Sequence, residues 1–192
     1  MLNSLQIPKE LRRKVDDELQ PGEFVRWVEQ PIPRFFTPAS IMTFLFAIPW
    51  TSFAIFWMWG ASGFELPDLS KGLQPQYLFA LFGVPFVLVG FGMLFSPLWV
   101  WEAARKTVYL VTDKRAISIQ AGRSTTIRSY LPDQLKETYR KERANGTGDV
   151  IIAIRRWNDS DGDQRTEEIG FMGVSNPREV ENILKQLAQN NV

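Results

Sequence analysis

Residues Phe35–Phe64 read FFTPASIMTFLFAIPWTSFAIFWMWGASGF and hold no charged residue; Gly72–Trp101, GLQPQYLFALFGVPFVLVGFGMLFSPLWVW, hold none either. A helix needs roughly 20 apolar residues to cross the hydrocarbon core of a bilayer, so each window exceeds the requirement. Two such windows joined by the short charged stretch Glu65–Lys71 predict a transmembrane helical hairpin, with spans at about 41–60 and 77–101. The mean hydropathy of the whole chain, −0.14, hides this, because it averages a very apolar third with polar flanks. What precedes and follows the hairpin divides the chain into a segment 1–34, the hairpin 35–104, and a soluble domain 105–192.

Composition removes whole classes of function. The chain has no cysteine and no histidine, and its formal net charge is +1. Disulfides, thiolate or imidazole metal sites and His-dependent nucleophiles are therefore excluded. No nucleophile or metal constellation remains, so the expectation is a protein that is not an enzyme and carries no cofactor or metal. The near-balance of charge lacks the basic excess of a nucleic-acid footprint. Intramembrane charges of the kind that mark ion paths are also missing, which argues against transport.

The flanks orient the hairpin. Arg26 and Arg34 precede the first window and Arg105, Lys106, Lys114 and Arg115 follow the second, whereas the connecting loop sets Lys71 against Glu65 and Asp68. The positive-inside rule predicts cytoplasmic termini and an external loop. The first 34 residues have no apolar core of a signal peptide, so the first span is expected to direct insertion. Pro49, Pro85 and Pro97 predict kinks. Gly83, Gly90 and Gly92 would let one helix approach the other closely, or serve an oligomer face. Tryptophans and Tyr77 cluster toward the window ends, with Trp50 the exception.

Before the hairpin, residues 8–19 (PKELRRKVDDEL) place Leu11, Val15 and Leu19 at four-residue intervals after Pro8. An amphipathic helix lying on the soluble domain, or alternatively on lipid, follows. Phe24–Val28 reads as extended. After the hairpin come β-rich runs at Val108–Thr112, Ala116–Gln120, Thr125–Leu131, Leu135–Glu142, Val150–Trp157 and Arg165–Phe171, separated by turn residues. Ser175-Asn176-Pro177 opens a helix with the apolar stripe Val180, Ile183, Leu184 and Leu187. The pattern predicts an α+β membrane protein whose soluble part is a small antiparallel barrel or sandwich capped by a C-terminal helix.

Three stretches carry a resemblance: YLVTDKRAI at 109–117, NGTGDVI at 145–151 and GFMGVSNPREV at 170–180, together with LQPGEFVRW at 19–27 ahead of the hairpin. In this order they resemble the bacterial pleckstrin-homology-like domain of small two-span membrane proteins. The resemblance implies a PH-like β-barrel on the cytoplasmic face of the bacterial inner membrane. It implies no catalytic residues and no dependable phosphoinositide site.

Three candidate features remain. Arg105, Lys106, Lys114 and Arg115 could meet anionic lipid headgroups, or be ordinary positive-inside flanks. Lys136, Arg140, Lys141 and Arg143 form a basic strand, an exposed edge kept soluble or a face for an acidic partner. Asn158–Asp163 invites a calcium reading, but Gly162 falls fourth from Asp159, not sixth, and Gly170 occupies the place of the closing glutamate, so a hairpin turn explains it. The functional expectation is a scaffold or accessory subunit bound to other integral membrane proteins in the lipid bilayer. The alternative is a headgroup or envelope-stress sensor acting through the basic flank.

Overall fold

In the computed structural model, residues 7–64 and 79–190 are described. The expected connecting loop Glu65–Lys71 and the start of the second span at Tyr77 lie outside the described residues. The chain divides into two compact units, one made of Met1–Pro33 with Glu102–Val192 and the other of Arg34–Trp101.

The first unit is built from α1 (Lys9–Glu18), β1 (Val25–Glu29), β2 (Thr107–Thr112), β3 (Ala116–Gln120), β4 (Thr126–Tyr130), β5 (Tyr139–Glu142), β6 (Gly148–Asn158), β7 (Gln164–Val174) and α5 (Pro177–Gln189). The strands form two antiparallel sheets, ordered β1-β2-β3-β4 and β5-β6-β7. They share one core: Tyr109, Val111, Ala116 and Tyr130 of the first sheet meet Val150, Ile152, Phe171 and Val174 of the second. Val180, Leu184 and Leu187 of α5 close it. Tyr109 stacks on Phe171 at 4.7 Å, with Trp27 on Phe171 at 5.8 Å. Asn176 caps α5 by accepting the Glu179 N–H, and Pro177 takes the first turn, where its missing N–H leaves nothing unpaired.

The expected barrel is not closed. The run Leu135–Glu142, read as one polar strand, is two things: a 3-10 turn at Pro132–Leu135 and the short strand β5. Leu135 is wholly buried in the shared core with α5, so the chain dives inward there instead of continuing a ladder from β4 to β5. The two sheets stay separate, and near one corner the Ile32 N–H reaches the Gly173 carbonyl at 2.8 Å.

The segment before the hairpin belongs to this unit. β1 pairs antiparallel with β2, setting Val28 opposite Leu110 and Glu29 opposite Tyr109. Every residue of β2 is buried, because alternate side chains enter different cores. Tyr109 and Val111 face the second sheet and α5, whereas Val108 and Leu110 join Ile117, Ile119 and the α1 residues Leu11 and Val15. Helix α1 thus lies on the outer face of the first sheet, and its four-residue repeat is the stripe it buries there. Each such side chain contributes about 1.5–3 kcal/mol when fully removed from water.

The second unit holds α2 (Pro38–Ala61), α3 (Val84–Leu94) and most of α4 (Ser96–Arg105). Thr37 and Ser40 cap α2 reciprocally: the Ser40 N–H donates to Thr37 Oγ1 and the Thr37 N–H to Ser40 Oγ. Helix α2 runs on through Pro49. Among the described helices it alone, over Ser40–Ala61, is long and apolar enough by itself to cross a membrane. The expected second span is not one straight helix. Phe79–Leu94 and Ser96–Arg105 meet at a 47° bend, with the break at Phe95 two residues ahead of Pro97, whose ring cannot continue an uninterrupted helix.

Candidate functional site

The apolar hairpin is packed with its small residues inward. Ser40, Ala47 and Ala54 on one leg, and Gly83, Gly90 and Pro97 on the other, are buried positions spaced seven apart. That 3.5-residue period is the repeat of a left-handed helix pair. At Gly90 a Cβ would stand 2.3 Å from Thr51 Oγ1, and at Gly83 one would stand 2.2 Å from Met58 Cγ, so both glycines are where the legs approach most closely. Gly92 is different: the nearest atom to its Cβ position is in the Trp99 ring, 3.9 Å away. The buried Thr51 hydroxyl donates back to the Ala47 carbonyl at 2.6 Å, so this polar side chain in the seam is satisfied within its own helix.

Large side chains point the other way. Met42 is 70% exposed and Phe53 67%, while Ala47 is 0% exposed. Leu45, Phe46, Phe56, Trp59, Leu88 and Trp99 are exposed with them. Water drives large apolar groups together, and this arrangement does the reverse: it surrounds a thin seam of Ala, Gly and Thr with Phe, Leu and Trp. Close backbone approach through small residues is how helices associate when their surroundings are as apolar as their side chains.

Trp50, placed mid-window by the sequence, has a reason to be there. Its indole N–H donates to the Phe86 carbonyl at 3.1 Å, and its ring lies 6.2 Å from that of Phe86. Trp57 sits 5.5 Å from Phe79. Between these contacts Trp50, Phe53, Ala54, Trp57, Phe82, Gly83 and Phe86 line a cleft of about 330 Å³ that no charged side chain enters. Such a cleft accepts an apolar chain or ring; it holds no acid, base or metal ligand.

The basic flank is not one patch. Arg105 and Lys106 precede the first residue of β2, whereas Lys114 and Arg115 lie in the turn after its last. At about 3.3 Å per residue a strand of this length sets the two pairs roughly 20 Å apart. Lys106 binds Glu102 at 2.5 Å, and Lys114 is exposed in its turn. Arg115 is committed within the fold. Its Nε donates to Glu23 Oε1 at 3.0 Å, its Nη1 to Glu18 and Ser129, and its Nη2 to the Glu18 carbonyl and Glu23 Oε2. Burial alone would raise the Glu23 pKa, but the hydrogen bonds from Arg115, the Gln20 N–H and the Thr112 hydroxyl, with the Arg115 charge, hold it at about 2. The same pairing raises Arg115 above its ordinary value. This network ties α1, the Gln20–Glu23 turn and the β2–β3 turn into one corner. No local pattern announces it, since Glu23 and Arg115 are far apart in the chain.

The basic strand is also internally engaged. Arg140 pairs with Glu142 and with the buried Glu181, Lys141 with Glu168, and Arg143 with Asp149. Of the four basic residues, only Arg140 and Lys141 lie on β5, the outer strand of its sheet; Arg143 follows it and Lys136 ends the 3-10 turn before it. In the Asn158–Asp163 turn, the Asp159 carboxylate accepts the Asp161 N–H and Arg165 Nε, and Gly162 adopts φ 85°. Among the described residues no group of three Asp or Glu side chains is placed to hold a metal ion.

No family model, no curated protein and no solved structure matches this chain.

Proposed function

We propose that the chain is a non-catalytic integral membrane protein that presents a PH-like domain on the cytoplasmic face of the bacterial inner membrane. In this reading it serves as a scaffold or accessory subunit for other membrane proteins. The observation that carries the proposal is the inside-out hairpin: small residues in the seam, large aromatic and aliphatic groups outside. Those outer groups then face acyl chains, or the helices of a partner. The bend between α3 and α4 is compatible with a broken span, since bilayer proteins tolerate such breaks where neighbours restore backbone partners. The four-plus-three strand order closed by one C-terminal helix supports the PH-like reading of the soluble unit. Buried carboxylates are consumed in ion pairs at Glu23 and Glu181, which leaves them structural work.

The headgroup-sensor reading has less support, because its four cations fall into two separate pairs and Arg115 is engaged by Glu18 and Glu23. The test is membrane extraction followed by identification of co-purifying proteins. Residence in the membrane should resist alkaline wash, and a cysteine introduced at Ser70 should react with an impermeant reagent from outside while one at Ser160 should not. Trp59→Ala with Trp99→Ala should release the partner, as both rings are exposed and large aromatic anchors dominate interfaces. A protein washed off at high pH, or a lone monomer whose binding to anionic vesicles falls with Lys114→Glu, would overturn the scaffold.

A further inference from the structure

The β6–β7 ribbon is longer than the sheet that supports it. Strand β5 begins only at Tyr139, opposite Ile151, whereas β6 continues past that pair to Asn158 and β7 pairs with it as far as Gln164. From Ala153 to Asn158 every residue of β6 is exposed, Trp157 and Ile154 included, and on β7 Gln164–Thr166 are exposed while Glu167–Ile169 are half-buried, so the outer end of the ribbon stands in solvent. Two strands alone are marginally stable in water, and a third or fourth neighbour is what such a ribbon ordinarily has. Each of its outer edges is an open row of main-chain donors and acceptors.

The two edges differ in charge order. On β6, Arg155 and Arg156 are adjacent, so a two-fold antiparallel pairing about that point sets cation against cation. On β7 the sequence Gln164-Arg165-Thr166-Glu167-Glu168 is antiparallel-complementary to itself. Pairing about Thr166 places Thr166 opposite its own copy, Arg165 opposite Glu167 and Gln164 opposite Glu168, each charged pair twice by symmetry. Arg165 and Glu167 have room for it: their side chains are 60% and 44% exposed. Within the chain Trp157 lies opposite Arg165 and Arg155 opposite Glu167. The joined ribbons would therefore carry an alternating row of Arg155, Glu167 and the copy's Arg165. The Arg155–Glu167 contact is long at 3.8 Å, and a second guanidinium on Glu167 would complete it.

We propose that β7 is a homodimer edge, at which two copies of this chain pair antiparallel about Thr166 to make one continuous sheet. This goes beyond the scaffold reading and does not depend on which membrane proteins, if any, the hairpin binds.

The whole chain in mild detergent is the material for the test, and its lack of cysteine makes a single introduced thiol unambiguous. Thr166→Cys should give a cross-linked dimer rapidly with a short thiol-specific reagent. Thr126→Cys, on the outer strand of the other sheet, should not. Arg165→Glu at an exposed position and Glu167→Arg at a half-exposed one should each lower dimer association by tenfold or more in sedimentation, and the two together should restore it. The proposal is overturned if Thr166→Cys cross-links no faster than Thr126→Cys. It is equally overturned if the double charge exchange associates no better than either single change.

Discussion

Replacing Glu23 by glutamine tests the corner that joins α1 to the sheet. The Glu23 side chain has no exposed surface and receives Arg115, Thr112 and the Gln20 N–H. Its carboxyl titrates at about 2 in the folded chain instead of 4.5. At 1.36 kcal/mol per unit, that difference corresponds to about 3 kcal/mol of stability drawn from the ionised form. The sign follows from the direction of the shift. The contribution is complete above pH 4.5, where the unfolded chain is also ionised, and is lost as pH falls from about 4.5 toward 2. Glu23→Gln should therefore lower stability at pH 7 by about 3 kcal/mol, since a neutral amide leaves the buried fork of Arg115 short of charge. The variant should also lack the part of the acid sensitivity that falls between pH 4.5 and 2. Urea titration of the whole chain in mild detergent can be read from a brief amide-exchange pulse at fixed pH, in peptides covering Thr107–Gln120. A loss below 1 kcal/mol at pH 7, or an acid profile unchanged by the substitution, would refute the reasoning.

Residues 105–192 alone should aggregate, because they expose Val108, Leu110, Ile117 and Ile119 without α1 and β1; joining residues 1–33 to 102–192 by a flexible linker should give a soluble chain with a cooperative transition and a mainly β circular dichroism spectrum. Leu184→Asp should unfold the β unit, since a wholly buried unpaired charge costs several kcal/mol, and loss of that transition is the readout. Gly90→Leu should force the hairpin legs apart at a cost of about 1–3 kcal/mol and shift Trp50 emission, whereas Gly92→Leu should leave both melting and emission unchanged.

Short-range chemistry explains what was legible in the sequence. Ala116–Gln120 is the strand its β-branched run describes, and Val180, Leu184 and Leu187 are buried as the helical stripe requires. The glycines at 83 and 90 face the opposing leg, while Gly92 does not, a distinction that composition alone cannot make. Leu135–Glu142 misled because its polar alternation conceals one residue, Leu135, whose burial is decided by α5. The continuous apolar run of β2 was legible as a strand, but its two-sided burial depends on α1. The split of the basic flank needs no tertiary contact, since the strand read at Val108–Thr112 already parts Arg105 and Lys106 from Lys114 and Arg115; what no window shows is that Arg115 is engaged by Glu18 and Glu23. The Arg115 corner joins segments brought together only by β1–β2 pairing, so no window could hold it.

Because β1 and β2 are neighbours in one sheet but the whole hairpin is threaded between them, synthesis imposes a wait. Strand β1 and helix α1 leave the ribosome with their apolar faces uncovered, and the partner strand follows only after residues 30–106. At about 5–20 residues per second, that delay is on the order of 4 to 15 seconds. If the hairpin forms first, its own closure draws the two strand ends together and removes most of the entropy of closing so long a loop. The apolar legs would then act as a folding clamp, and damage to the Gly83–Gly90 seam would surface as a slow or misfolded β unit at the far end of the causal chain.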